Sequence, residues 1–216
     1  PEHITSARDL ATLATATIRN HPDRYEVYKQ KAYTYNDITQ YNRNLLLRDD
    51  PTVDGLKTGY TSVAGYGMVA SAKRDGMRLI SVVLGSDSTR SRKSETKALL
   101  SYGFRFFETL EPVSAEVALA KTRVWKGLTD SVDGGVLTSI VMTGPRGAAV
   151  PQIVTHFNDP LTAPIVRGDT IGTLQVMMDG EVVREAPLVA LNDVPEAGFF
   201  ARLWDGLILW LSQLFG

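Results

Sequence analysis

Residues 54–61 of the chain read Asp-Gly-Leu-Lys-Thr-Gly-Tyr-Thr, and this stretch is the sharpest local signal in the sequence. It lies within a run from Val53 to Thr61 whose residue types predict a strand. Lys-Thr-Gly on a strand has a chemical use, because Lys57 offers a fixed cation, Thr58 a hydroxyl donor and Gly59 a close approach to the backbone. The alternative is an exposed strand with a solvated lysine, and the tripeptide alone does not decide between the two.

The residues on either side of this stretch predict a region of mixed helix and strand. Thr5-Ser6 is a helix cap, and apolar residues at helical spacing follow it to a helix end near Asn20. Residues 33–44 are rich in Tyr and Asn without periodicity, which predicts a loop. Asp75-Gly76 predicts a hairpin turn between two further strands. Those two strands and a following helix are predicted at Gly67–Ala72, Leu79–Leu84 and Arg92–Phe107.

Residues 111–194 have a different pattern, with short β-prone runs divided by Gly and Pro. One run covers 117–125 and another covers Val136–Met142. The clearest feature is a hairpin of Thr170–Met178 and Glu181–Leu191, joined by Asp179-Gly180. Several short strands without helices indicate a small sandwich or barrel.

The last twenty residues predict an amphipathic helix from Ala197 to Phe215. The opposite, polar face carries Arg202, Asp205, Gly206, Ser212 and Gln213, and Leu209 is the one apolar residue on it. An interfacial helix lying in the plane of a membrane fits better than a span, which would bury Arg202 and Asp205 in hydrocarbon. A helix docked on the protein's own core, or a dimer contact, remains the alternative. The predicted membrane-anchor residues are Phe199, Phe200, Leu203, Trp204, Leu207, Trp210 and Leu211, and the apolar half also includes Leu214 and Phe215.

The composition excludes several classes of protein. With 44% apolar and 22% charged residues, the 216-residue chain is not disordered. It has no cysteine, so thiol catalysis, zinc knuckles and iron–sulfur clusters are excluded. Its three histidines lack ligand spacing, and we expect no metal or other cofactor. The formal net charge of -1 leaves no basic excess for nucleic-acid binding.

Three stretches together carry a family resemblance. Asp54–Tyr66, Met77–Gly85 and Tyr102–Glu108 closely resemble the low-molecular-mass penicillin-binding proteins, and within them the D-alanyl-D-alanine carboxypeptidases. The resemblance continues through the strand-rich region into Gly198–Asp205, so it covers essentially the whole chain. It implies an α+β fold: a partial β-lactamase/DD-peptidase-like domain, a small all-β sandwich domain and a C-terminal amphipathic helix. The implied domains are residues 1–107, 108–195 and 196–216.

The family uses a Ser nucleophile in Ser-x-x-Lys, then Ser-x-Asn, then Lys-Thr-Gly, in chain order. Only the third motif is present where the family has it, and no Ser-x-Asn occurs. The one Ser-x-x-Lys, Ser94 to Lys97, lies downstream of Lys57 and is interpreted as a pair on a solvated helix face. We therefore expect the nucleophile and its base upstream of Pro1, and the chain alone to be inactive.

The resemblance also implies roles for individual residues. Lys57 places positive charge beside the nucleophile, and Thr58 donates to the terminal carboxylate of the substrate. The strand with Gly59 and Tyr60 pairs with the peptide, and the Tyr60 N–H is the candidate second donor of the oxyanion hole. Arg92 matches a family arginine near the carboxylate pocket, with a solvated arginine at a helix start as the equal alternative.

The function implied is that of a serine-type D-alanyl-D-alanine carboxypeptidase, which removes the terminal D-Ala from peptidoglycan stem peptides through an acyl-enzyme. The implied partners are stem peptides ending in D-Ala-D-Ala, β-lactams and a membrane surface, and the implied location is the periplasmic face of the inner membrane. Two alternatives stay open: a non-catalytic envelope-binding module of the same ancestry, and a β-lactamase-type hydrolase.

Overall fold

The computed structural model describes residues 4–215, and the side chains of residues 4–211. These residues form two compact units that divide between Glu108 and Thr109. The elements of the first unit are α1 Ala7–Asn20, α2 Pro22–Tyr25, β1 Ala32–Tyr35, β2 Ile38–Tyr41, α3 Leu46–Asp49, β3 Val53–Thr61, β4 Gly65–Arg74, β5 Met77–Ser86 and α4 Thr89–Phe106. Those that follow are β6 Phe107–Val113, β7 Ala120–Arg123, β8 Ser131–Gly135, β9 Ile140–Pro145, β10 Gln152–Phe157, β11 Thr170–Met178, β12 Glu181–Ala190 and α5 Phe199–Phe215.

The first unit is built on an antiparallel sheet in the order β3-β4-β5, against which α1 and α4 pack. The β4–β5 turn at Asp75-Gly76 has φ values of 47° and 83°, as the hairpin prediction requires. The core beneath the sheet consists of Leu46, Leu47, Val53, Met68, Ala70, Ala72 and Leu100. Burial of these apolar side chains stabilises the position of β3 at the edge of the sheet.

Side-chain caps begin both long helices. The Ser6 hydroxyl accepts the Asp9 N–H and the Asp9 carboxylate accepts the Ser6 N–H, which is a capping box. These hydrogen bonds lower the pKa of Asp9. Ser88 caps α4 by accepting the N–H of Ser91. The α4 helix therefore begins at Thr89, three residues before the start predicted from the apolar spacing.

The loop predicted for residues 33–44 is wrong, because β1 and β2 form a hairpin there. Its turn residues, Asn36 and Asp37, have φ values of 48° and 60°, which are typical of a type I′ turn. Every residue of the two strands is exposed. Neither face is covered, so the sequence shows no alternation of buried and exposed residues from which a strand could be predicted.

The second unit contains a five-stranded antiparallel sheet in the order β10-β11-β12-β8-β7 and a two-stranded sheet of β6 and β9. Its core includes Ile171, Leu174, Val176, Leu188 and Val194, all of them almost fully buried. The mixed α+β architecture, with its β-rich second part and terminal helix, confirms the fold class expected from the sequence.

Two details of the second unit differ from the sequence prediction. The strand predicted at Val136–Met142 begins only at Ile140, because Val136 to Ser139 lie in a bend. Strand β8 was not predicted, since Gly134 and Gly135 suggest a turn. These glycines instead give room to neighbouring side chains: an added Cβ would lie 2.9 Å from Phe157 and 2.7 Å from Leu191.

Candidate active site

A cavity of about 730 Å³ opens on the first unit at the edge of its sheet. Three segments distant in sequence form its walls: Tyr41–Arg48, Lys57–Tyr66 and Thr89–Arg92. The size falls within the range typical of ligand pockets. The lining residues are Tyr41, Asn42, Arg43, Leu45, Arg48, Lys57, Thr58, Gly59, Tyr60, Tyr66, Thr89 and Arg92. All five substrate-binding residues expected from the sequence therefore lie in one cavity.

The Lys57–Tyr60 segment lies on β3, which is an edge strand among the described residues. Its inner side pairs with β4 through Gly59↔Gly67 and Tyr60↔Tyr66, and its outer side has no described strand beside it. A free strand edge is the feature to which an extended peptide adds. A Cβ added at Gly59 would meet no atom within 4 Å, so packing does not demand glycine at this position.

Arg92 is not the solvated arginine of the alternative interpretation, because only 5% of it is exposed. Its guanidinium donates to the carbonyl oxygens of Gly59 at 3.1 Å and Gly67 at 3.3 Å, and it lies 5.6 Å from the Tyr66 ring. Burial lowers the pKa of Arg92, and no acidic residue of the described chain pairs with it. The structure thus holds a desolvated cation beside Lys-Thr-Gly whose partners are carbonyl oxygens and an aromatic ring instead of a carboxylate.

A polar network positions the start of β3. Asp54 accepts a hydrogen bond from the Tyr25 hydroxyl at 2.8 Å and pairs with Arg78 at 2.8 Å. Arg78 also donates to Ser71 at 2.6 Å, on the neighbouring strand β4. A Cβ at Gly55 would lie 2.5 Å from the Tyr25 oxygen, so glycine is needed for this close packing. These contacts fix the position of β3 at Asp54, three residues before Lys57.

The opposite wall of the cavity was not recognised as part of the site from the sequence. Buried Asn44 shapes this wall, because its side-chain amide donates to the Gly55 carbonyl and its side-chain oxygen accepts the Leu46 N–H. Asn42 in turn accepts the Asn44 N–H at 2.9 Å. The signal in the sequence was the run of asparagines, whose side chains commonly satisfy backbone groups in turns.

The charge of the cavity has one sign. Arg43, Arg48, Lys57 and Arg92 line it, and no Asp or Glu does. A concave surface whose charged side chains are all cations attracts and orients an anionic ligand. Among the described residues, no group of three or more His, Asp or Glu is placed to hold a metal ion.

The Ser94–Lys97 pair is placed away from this cavity. Both residues are exposed on α4, and neither contributes to the cavity wall. The Ser94 hydroxyl donates to the Ser91 carbonyl at 2.9 Å, within the helix itself. This placement favours the interpretation of the pair as surface residues.

The terminal helix α5 contacts the second unit through its polar face. The Asp205 carboxylate accepts the Lys126 N–H at 2.7 Å, Arg202 pairs with Glu196, and Gly206 faces the Lys126 side chain. The predicted anchor residues are exposed on α5: Phe199, Phe200, Leu203, Trp204, Leu207, Trp210 and Leu211. The side chains of Leu214 and Phe215 lie outside those described. Among the described residues, no helix has the length and hydropathy needed to cross a bilayer.

Comparison with known proteins gives two family matches. Residues 1–88 match the D-alanyl-D-alanine carboxypeptidase family, and residues 107–196 match the C-terminal domain of penicillin-binding protein 5. The chain is 41% identical to the D-alanyl-D-alanine carboxypeptidase DacC of Escherichia coli (strain K12), over all of this chain and 55% of that protein. It is 42% identical to DacA of Haemophilus influenzae, over all of this chain and 56% of that protein.

Among solved structures, the penicillin binding protein 5 from Haemophilus influenzae is similar with a TM-score of 0.76 and 40% identity. That match covers 89% of this chain and 57% of the solved chain. The chain thus spans about half the length of the curated relatives that it matches.

Proposed function

We infer, from the family matches of residues 1–88 and residues 107–196, that the chain belongs to the D-alanyl-D-alanine carboxypeptidases and carries the C-terminal domain of penicillin-binding protein 5. From this premise we propose that it is the substrate-binding portion of a serine-type enzyme that removes terminal D-Ala from peptidoglycan stem peptides. The observation that carries the proposal is the convergence of Lys57, Thr58 and Arg92 on one cavity at a free strand edge.

Each part of the cavity has a role in this proposal. The peptide extends along the outer side of β3, where backbone hydrogen bonds hold it. The carboxylate of its terminal D-Ala lies among Thr58, Arg92 and Lys57, because cations and a hydroxyl are its natural partners. The open space around Gly59 allows the peptide to approach the strand. The Tyr60 N–H supplies one donor to the oxyanion that forms during acylation.

The nucleophile comes from a segment that precedes residue 1 in the longer enzyme, with the Ser-x-x-Lys and Ser-x-Asn motifs. Its serine attacks the carbonyl of the penultimate D-Ala, and the terminal D-Ala leaves as the amine. Water then hydrolyses the resulting ester. A β-lactam presents a carboxylate and a strained amide to the same groups, so it acylates the same serine.

Replacing Lys57 in the longer enzyme tests the proposal. Lys57→Ala should slow acylation about 10²-fold or more, because a preorganised charge at the reacting centre is lost. The matched control is Lys97→Ala, which removes an exposed lysine outside the cavity. Acylation rates with a labelled penicillin and turnover of a D-Ala-D-Ala peptide give the measurement. Normal rates for Lys57→Ala, or loss of activity in Lys97→Ala, would contradict the assignment.

We also propose that α5 attaches the protein peripherally to the outer face of the inner membrane. A helix docked on its own core would turn its apolar face inward. Here Asp205 and Arg202 contact the second unit, while Trp204 and Trp210 are exposed. Exposed aromatic residues on one helix face are typical of segments that lie at the lipid interface.

A further inference from the structure

We propose that the second unit binds the headgroup phosphate of an anionic phospholipid at the start of α5, and that Lys126 is the specificity residue. The site is a cavity of about 370 Å³ beside the first turns of the helix. The residues that line it belong to the second unit alone. This inference rests on the proposed attachment of α5 to a membrane, and it adds the class of lipid that the protein selects.

The wall of this cavity combines apolar anchor residues with polar ones. Phe199 and Leu203, two of the predicted anchor residues, line it and are exposed. Lys126 and the hydroxyl-bearing Thr162 line the same cavity. A phospholipid has a matching arrangement, because its acyl chains adjoin its phosphate at the boundary where interfacial helices lie. A lipid whose acyl chains contact Phe199 and Leu203 therefore brings its phosphate to the cavity that Lys126 lines.

The charges described in this cavity do not cancel. Arg202 lines it and pairs with Glu196, so these two charges offset each other. Asp205 is not part of the described wall, and its carboxylate accepts the Lys126 N–H at 2.7 Å. Among the described residues, Lys126 forms no ion pair with an acidic side chain. The cavity therefore has an excess of positive charge, which attracts an anion.

The backbone and the aliphatic stem of Lys126 are held in place. Its N–H donates to Asp205, and its carbonyl oxygen accepts the Ala197 N–H at 2.9 Å. Its Cε would lie 3.6 Å from a Cβ added at Gly206, so the stem lies alongside α5. Lysine stems commonly pack on protein in this way and leave the ammonium group at the polar boundary. An ammonium group in this position is suited to bind a phosphate from the membrane surface.

The test measures the partition of the longer protein onto two kinds of vesicle. One kind is made of phosphatidylcholine, which has no net charge, and the other contains anionic phosphatidylglycerol as a minor component. At low salt we expect the partition coefficient to be about fivefold higher on the anionic vesicles, which is the scale of one lysine at an anionic lipid surface. High salt should remove this preference but not the binding itself, because the apolar contact remains.

Lys126→Gln should bind both kinds of vesicle equally and bind phosphatidylcholine as the wild type does, because its backbone hydrogen bonds are kept and the charge alone is removed. Lys126→Arg should keep the preference. Glu196→Gln releases Arg202 and should increase the preference. The matched control is Lys121→Gln, which removes an exposed lysine of the same unit outside the cavity and should keep the preference. Thermal unfolding and penicillin acylation show whether each variant is folded.

The following results would overturn the inference. Equal partition of the wild type onto both kinds of vesicle would remove the headgroup site and leave the proposed anchor intact. A preference that survives in Lys126→Gln, or that is lost equally in Lys121→Gln, would show attraction by the overall charge of the protein. An equal loss of binding to both kinds of vesicle in Lys126→Gln would make Lys126 a structural residue.

Two further results concern the ligand and the anchor. Loss of the preference on addition of inorganic phosphate at constant ionic strength would indicate a site for the free anion and would overturn the assignment to a lipid. Failure of the wild type to bind either kind of vesicle would overturn the proposed anchor and this inference together. Penicillin acylation by the same protein reports on the proposed enzyme separately.

Discussion

At the scale of single residues, the candidate site depends on polar groups taken out of water. Arg92 is buried without an acidic partner in the described chain, and Asp54 is held between Tyr25 and Arg78. Desolvation of the phenol, with the neighbouring Asp54 carboxylate, raises the pKa of Tyr25 to about 12. The hydrogen bond that Arg78 donates to the Asp54 carboxylate, and the negative charge of that carboxylate, raise the pKa of Arg78 despite burial. Removing one hydrogen-bonding partner from a buried network leaves the other polar groups unsatisfied, and this destabilises the folded state.

Tyr25→Phe should destabilise the chain by about 1 kcal/mol, since it removes the hydroxyl that donates to Asp54. Tyr28→Phe is the matched control, because that ring lies 5.8 Å from the Tyr25 ring and its hydroxyl does not bond Asp54. Denaturant unfolding at neutral pH measures the difference. Equal stability of the two variants would show that the hydroxyl contributes nothing.

The stability difference between the wild type and Tyr25→Phe should also depend on pH. The folded state keeps the Tyr25 proton to about pH 12, above the usual value of 10.0. The stability that this group contributes is therefore complete below pH 10.0 and is lost as pH rises through about 12. The advantage of the wild type over Tyr25→Phe should shrink across that window. A constant difference from pH 8 to 12 in unfolding experiments would contradict the shift.

At the scale of elements, β3 and α5 share the property that one side has no described partner. The outer edge of β3 has no described strand beside it, and the predicted anchor side chains of α5 are exposed. Both surfaces are unfavourable in water unless something covers them. The proposed function gives each a different partner: a peptide for the strand and a lipid surface for the helix.

The proposed anchor predicts that the longer protein sediments with liposomes, and that removal of residues 197–216 releases it without loss of penicillin acylation. Binding should persist at high salt, since Arg202 is paired with Glu196 and the contact is mainly apolar. Paired Trp204→Glu and Trp210→Glu substitutions should act like the deletion, because both rings are exposed on α5.

The matched control is paired Val150→Glu and Val166→Glu, which adds the same charge at exposed apolar positions outside α5. Those variants should still bind liposomes. The docked-helix alternative predicts a different result: truncation would lower the melting temperature, and liposome binding would be absent from the start.

A further prediction concerns β5, which is the second edge of the three-stranded sheet. In the longer enzyme we expect strands from the preceding segment to pair with it. A fragment of residues 1–106 should therefore aggregate through this edge, whereas residues 107–198 should fold alone around the core of the second unit. Size-exclusion chromatography and thermal unfolding compare the two. A monodisperse, cooperatively unfolding fragment 1–106 would show that this edge is not a liability.

At the scale of the whole molecule, the chain corresponds to about half the length of its curated relatives. Its described part holds a cavity lined by Lys-Thr-Gly, and the one Ser-x-x-Lys lies outside that cavity. In the proposed division of the site, this chain supplies the substrate-binding groups and the preceding segment supplies the nucleophile.

The chain by itself should form no covalent adduct with a labelled penicillin, because it supplies cations to the cavity but no nucleophile. Intact-protein mass spectrometry of residues 1–216, with the longer enzyme as the positive control, gives the measurement. A stoichiometric adduct mapped to Ser94 would overturn both the motif order and the proposed division.

Features that depend on residues close together in the chain could be predicted from the amino-acid sequence. Ser6 and its partner Asp9 specify where α1 begins, and Asp75-Gly76 specifies the β4–β5 turn. The strand Val53–Thr61 and the amphipathic pattern of α5 could also be predicted, since residue type and periodicity report burial along a single element. The family resemblance added the prediction that Lys-Thr-Gly is a substrate-binding motif.

Which distant segments meet is visible in the folded structure alone. The β1–β2 hairpin has two exposed faces and so shows no periodic pattern, and nothing local indicates that Arg43 and Arg48 line the same cavity as Lys57. The burial of Arg92 depends on carbonyls of β3 and β4, and the outward direction of the α5 apolar face depends on Asp205 reaching Lys126. Such contacts join residues far apart in the chain, and their free energy depends on the folded arrangement rather than on local sequence pattern.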